Sequence, residues 1–123
     1  MARDAIPVVQ GLINNGIVAG AGVAINAANG GNIAIDGDAQ RYVLIIVNSF
    51  AGAKNVTLKA GVYPPAFRQI LGDVVFACTQ TTQWNYIFFE SARFAQADQS
   101  INVDYEASMT GTAFCVKLPA DNA

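Results

Sequence analysis

Few residues in this chain of 123 could do chemistry, and histidine is not among them. Its absence removes the commonest general base, the usual nucleophilic triads and the commonest zinc ligand. The two cysteines, Cys78 and Cys115, lie far apart inside apolar runs and show no Cys-x-x-Cys spacing. They are expected to be buried thiols, with neither a disulfide framework nor a structural zinc site. Gly16, Gly20 and Gly22 imitate a phosphate loop. A dinucleotide fingerprint, however, would need a glycine where Ile25 stands, and no Lys-Ser or Lys-Thr pair completes a Walker motif. Asp36 and Asp38, with Asn32, fall short of the six to eight oxygens that calcium takes, so a carboxylate-capped turn is expected there. Glu90 with Asp98 or Asp104 would be the only carboxylate pair to consider for glycoside hydrolysis. Asp104 sits on the polar side of an alternating strand, the ordinary place for a solvated charge. No catalytic, cofactor-binding or metal-ligating residue is assigned, and the chain is not expected to be an enzyme.

Aromatic and arginine side chains are the residues left that could carry a function. Tyr63, Pro64, Pro65, Phe67 and Arg68 fall in one short loop. Such rigid side chains either anchor a partner or fold over an open end with Phe67 as a plug. Arg93 and Phe94 pose the same choice: Phe94 is expected to close the core end, and Arg93 to pair with Asp98 or with a neighbour. Trp84 and Tyr86 share one strand face, where either core packing, the preferred reading, or a sugar-stacking platform would use them.

Composition points to association. Only 13% of residues are charged, seven Lys and Arg against nine Asp and Glu, where about 25% is usual. Counted with Gly and without Tyr, apolar residues make up about 59%, against a usual ~45–50%. A single domain of this length cannot bury so much in its own core, so a membrane or a protein must take the excess. The longest strictly apolar stretch, Gly16 to Ile25, is too short for the roughly 20 residues of a spanning helix. Asp4 and the asparagines around that stretch also speak against a secretory signal. The seven basic residues are scattered, which excludes a phosphate-binding patch and hence nucleic acid as a partner. A protein partner, including further copies of the chain, remains.

The elements that would position these residues read as short strands. Pro7, Gly11, Asn14 and Asn15 break any early helix, and no charge occurs from Ala5 through Ile35. Residues 1–16 are therefore expected to be an extended arm lying along its own domain or a neighbour, mobile until assembly fixes it. Its apolar residues Ile6, Pro7, Val8, Val9, Leu12 and Ile13 join Tyr63, Pro64, Pro65, Phe67, Arg68 and Arg93 as the candidate interface. Asn29-Gly30 predicts a hairpin turn and Asp36-Gly37 a second. Arg41 to Asn48 is continuously apolar, as in a strand covered on both faces. Val56 to Lys59, Val74 to Thr79 and Trp84 to Glu90 are further strands. Ile101 to Glu106 alternates cleanly with Ile101, Val103 and Tyr105 inward, and Thr112 to Leu118 is expected to point Phe114, Val116 and Leu118 inward. Pro65 to Leu71 offers one possible helical turn. Seven or eight short strands at this spacing predict an all-β fold: one small antiparallel β-sandwich, jelly-roll-like, over residues 17–123.

The order of these elements carries a resemblance. Asn29-Gly30-Gly31 and Asp36-Gly37-Asp38 precede a β-branched strand ending at Asn48-Ser49. Ala60-Gly61, a Pro-Pro-Ala segment and Leu71-Gly72-Asp73 follow. Glu90 to Asp98 then leads to Ile101-Asn102-Val103, and Thr110-Gly111-Thr112 opens the last strand. This resembles the small virion proteins of tailed bacteriophages, in particular the capsid decoration, or cement, proteins. The resemblance implies a virion structural protein made in the host bacterial cytoplasm and carried on the capsid exterior. Its partners would be the major capsid protein lattice and its own copies, with a trimer favoured. The chain departs from that pattern at Gln99-Ser100, where a glycine turn is expected, so a different loop shape is implied there. A carbohydrate-binding module and a tail or head-fibre base protein are the alternatives.

Overall fold

Alternation of apolar and polar residues decides which way each strand faces, and continuous apolar runs mark the strands covered on both sides. The computed structural model describes residues 3–11, 16, 22–35, 41–62, 66, 68–79, 83–89 and 91–118. Among the described residues, ten strands form two sheets packed face to face, a small β-sandwich. They are β1 (Asp4–Ala5), β2 (Val8–Gln10), β3 (Val23–Ala24), β4 (Gly31–Ala34), β5 (Tyr42–Asn48), β6 (Lys54–Leu58), β7 (Val74–Cys78), β8 (Trp84–Phe88), β9 (Ser100–Tyr105) and β10 (Gly111–Lys117). The described helix is limited to a 3₁₀ turn at Gln69–Leu71 and one α-turn, α1, at Ser91–Phe94. No helix among the described residues is long and apolar enough to cross a membrane.

One sheet runs in the order β1-β4-β9-β6-β7, and the other β2-β10-β5-β8 with β3 beside β10. Pairing is antiparallel except where β1 joins β4 and β2 joins β10. The β6–β9 pair is nested inside the β5–β10 pair on the opposite sheet, the jelly-roll-like part of the connectivity. The core lies between the sheets. Leu44 and Ile46 face Val56, Leu58, Ile101 and Val103, and all six are buried. As the alternation requires, Val56, Leu58, Ile101, Val103 and Tyr105 all point inward.

The described stretch of the arm, residues 3–11, lies along its own sandwich. β1 pairs on one sheet, β2 on the other, and Ile6 between them is buried in the core at 3% exposure. The Ile6 amide donates to the Asn32 carbonyl at 2.9 Å, and the Cys115 amide donates to the Pro7 carbonyl at 2.8 Å. The segment at Asn26 to Gly30 forms the expected turn, with the Ala28 amide on the Asn26 side chain and Gly30 at φ 73°. It makes no hairpin, because β3 before it and β4 after it belong to different sheets; the turn carries the chain across the sandwich. Gln99 adopts the left-handed conformation expected of a glycine, φ 69°, so the loop keeps a glycine-turn shape after all. Asp98 holds it by accepting from the Ser100 amide and hydroxyl. Gly111 cannot be replaced so easily: its φ is 141°, and a Cβ there would overlap the Val47 carbonyl.

Candidate interaction surface

The two outer faces of the sandwich differ in chemistry. On the β4-β9-β6 sheet the outward side chains are Asn32, Asn102, Asp104, Asn55 and Thr57. Asn32 donates to Asn102 at 2.8 Å and to the Ser100 hydroxyl at 2.9 Å. Arg3 donates to the Asp104 carboxylate at 2.6 Å, and Lys59 bonds Asp73 at 2.7 Å with Asp104 3.9 Å away. The Lys59 ammonium and the Ala60 amide hold the Asp73 carboxyl below its ordinary pKa, and Asp73 raises that of Lys59 in return. Lys54 closes the series on Glu106 at 3.3 Å.

The outward strand residues described on the other sheet carry no charge; Arg41, just before β5, stands at the margin of that face and donates to the Leu118 carbonyl. Strand register arranges the face in cross-strand rows. Val9, Val116, Val43 and Phe88 make one, Phe114, Ile45 and Tyr86 the next, and Thr112, Val47 and Trp84 the third. Val43, Ile45 and Phe114 form a second apolar cluster that is already buried within the chain. Trp84 stands edge-on to Phe114, ring centres 5.6 Å apart at 84°, and helps to cover it. The β8 side of the face is open: Trp84 is 52%, Tyr86 58% and Phe88 67% exposed. Among the described strands β8 is also the last of its sheet, and β7, with exposed Val75, is the last of the other. Since β1 and β2 are joined through Ile6-Pro7 at the opposite edges, β7 and β8 border the same side of the sandwich. The exposed Ile70 and Leu71 of the 3₁₀ turn lead into β7.

Several expectations are corrected by this arrangement. Trp84 and Tyr86 do not pack in the core; the inward residue of β8 is Ile87. On β10 the parity is reversed. Ala113 and Cys115 face the core, Phe114 and Val116 face outward, and Leu118 is exposed. Ile6 is a core residue rather than an interface residue. Within the chain Arg93 does not pair with Asp98: its guanidinium donates to the carbonyls of Leu71, Gly72 and Asp73 and lies over Phe94. Asp104 is ion-paired rather than simply solvated. Phe94 closes the core end as expected. Of the other candidates, Pro7 and Val8 are exposed, Val9 is half-buried and Arg68 is exposed. Leu12, Ile13, Tyr63, Pro64, Pro65 and Phe67 lie outside the described residues, as do Asp36 and Asp38.

Among the described residues, no three His, Cys, Asp or Glu residues group as metal ligands. Cys78 and Cys115 are free and buried; burial raises both thiols, Cys115 to about 12, far from a reactive thiolate. A groove beside Asn32, Gln96, Asp98, Ser100 and Asn102 is polar, yet its side chains bond one another and the Ala60 carbonyl. The largest exposed aromatic side chains among the described residues are Trp84, Tyr86 and Phe88, together on the outer side of β8. Comparison of the chain with protein-family models, curated proteins and solved structures finds no match.

Proposed function

We propose that this chain is a bacteriophage virion structural protein, a capsid decoration or cement protein that binds the outer surface of the major capsid lattice and stabilises the shell. The observation that carries the reading is the contrast between the two outer faces, one laced with ion pairs, the other with uncharged strand residues and three exposed aromatic side chains. Aromatic anchors beside a charge-depleted apolar centre are what protein interfaces use. The order of turns and strands in the sequence, which resembles that of tailed-phage decoration proteins, supports the specific role. A ligand-like protein of this kind stabilises only the shell state that it binds, by an amount that grows with its free concentration over Kd. Mixed with expanded particles that lack it, the purified protein should co-sediment and raise the temperature at which they release DNA. Tyr86→Ala should weaken both effects. Particles that neither retain the wild-type protein nor change in heat resistance would remove the proposal.

Exposure of Trp84 and Tyr86 on one face also favours the carbohydrate-binding reading more than the sequence did. Sugar sites pair stacking rings with side chains that hydrogen-bond hydroxyls. The cross-strand neighbours of these rings are Val47 and Ile45, which gives the protein partner precedence. Binding of folded protein to a glycan array would reverse that order. Imaging of labelled protein on particles would separate capsid cement from a tail or head-fibre base.

A further inference from the structure

We infer that β8 is a self-association edge, and that two copies of the chain pair there antiparallel about a two-fold axis at Tyr86. Among the described residues nothing pairs with the outer side of β8, although β5 fills its inner side completely from Trp84 to Phe88. An open edge strand is a template for another strand, and proteins that remain single blunt it with lysine, proline or a bulge. The sequence Trp84-Asn85-Tyr86-Ile87-Phe88 has no charge and no proline, and its pairing with β5 runs without a bulge.

The strand is also complementary to itself. Two-fold axes in an antiparallel pair stand perpendicular to the sheet, so both aromatic stripes emerge on the same face. With the axis at Tyr86, Trp84 lies beside Phe88 of the second copy, Tyr86 beside its counterpart, and Phe88 beside Trp84. Directly opposed residues have Cβ atoms about 4.5–5.5 Å apart, the spacing at which aromatic cross-strand pairs stabilise sheets. At these exposures the three rings offer roughly 350–400 Å² per copy. A standard interface takes about 800 Å² from each partner. The aromatic ladder thus supplies at most about half, and the backbone of the β8 edge adds to it. That area suits a concentration-dependent dimer rather than a permanent one. The two-fold geometry differs from the trimer that the phage resemblance implies, and it does not depend on capsid binding, so either can fail alone.

Sedimentation equilibrium and native mass spectrometry of the full chain test this. A species of twice the 12.9 kDa chain mass is expected to grow with concentration. Tyr86→Lys sets two ammonium groups opposite each other at the axis and should weaken dimerisation about tenfold or more, with the far-UV spectrum unchanged. The double variant Trp84→Lys with Phe88→Glu places opposite charges face to face in this register only, and should keep the dimer while making it salt-sensitive. Tyr86→Cys should cross-link to itself under mild oxidation, while Ile70→Cys, on the exposed 3₁₀ turn, should not. A monomer at up to about 1 mM, a species of three chain masses, or a dimer indifferent to Tyr86→Lys overturns the inference.

Discussion

Asn48 is the residue on which the reasoning about buried polar groups can be tested most directly. It ends β5 and is fully buried, with 0% exposure. Its amide nitrogen donates to the Gly52 carbonyl at 3.0 Å and to the Cys78 carbonyl at 3.3 Å, and its oxygen accepts from the Phe50 amide at 3.0 Å. One side chain therefore ties the end of β5 to the following loop and to the end of β7 on the opposite sheet. Asn48→Ala removes three hydrogen bonds, each worth about 1 kcal/mol net, and leaves two carbonyls and an amide without that partner. A loss of about 3 kcal/mol is expected, a large share of the ~5–15 kcal/mol total of an ordinary domain. For a chain of this size that corresponds to a fall in Tm of roughly 10–15 °C. Urea unfolding followed by Trp84 fluorescence would measure it. Asn48→Asp should be worse at neutral pH, since an ionised carboxylate would face two carbonyl oxygens. Its folded pKa would lie above the ordinary value of about 3.9. The excess destabilisation is therefore absent below that value, and it grows as the pH rises toward the folded pKa. A loss under about 1 kcal/mol for Asn48→Ala, at unchanged m-value, would refute the account.

Three further outcomes follow from the same geometry. Ile6→Ala should cost about 2–5 kcal/mol as a core truncation, and an arm that is loose in the isolated protein would instead make that change nearly neutral in urea unfolding. The Asp73 carboxyl titrates below its ordinary value, so its contribution is complete above about pH 4 and is lost as the pH falls through the lowered folded value. Asp73→Asn should flatten that acid limb of a stability–pH profile, while wild-type stability through Lys59 is lost only as the pH rises through its raised folded pKa. Cys78 and Cys115 should resist a thiol reagent at pH 8 in folded protein and react together on unfolding; rapid labelling of either in native buffer would contradict their burial.

How far the sequence reveals this fold depends on how each strand is patterned. β9 is legible because Asn102 and Asp104 alternate strictly with Ile101, Val103 and Tyr105. β5 is legible as a strand covered twice, because Val43 to Val47 admits no polar side. The same lack of a polar side defeats β10, where Ala113, Phe114, Cys115 and Val116 fit either parity; pairing with β5 and the cover that Trp84 gives to Phe114 decide it. β8 misleads more actively. Asn85 is its one polar residue, and period-two logic would turn Asn85 to solvent and the aromatics to the core. Instead Asn85 donates to the Ile46 and Gln83 carbonyls at 3.3 Å, and Ile87 takes the core position, leaving the large rings outside. Docking of the arm was beyond local reading altogether, since β1 and β2 each pair with a strand far along the chain.

The placement of charge gives the association reading its physical content. A charge-poor sequence could have produced two moderately apolar faces, each kept soluble by scattered residues. Here Arg3, Asp104, Lys59, Asp73, Lys54 and Glu106 are engaged on the β4-β9-β6 sheet and its margins. The remaining basic groups near the other sheet turn to its ends: Arg41 donates to the Leu118 carbonyl and Lys117 lies over the Tyr42 ring. The open part of that face, Trp84, Tyr86 and Phe88 beside the already buried Val43, Ile45 and Phe114, is thereby left without a group that resists desolvation. Covering it costs no charge burial, whereas covering the opposite face would strip water from three ion pairs. Which side of the sandwich meets a partner is thus set by the cost of desolvation as much as by apolar attraction. Moving one charge onto β8 should alter association far more than it alters folding.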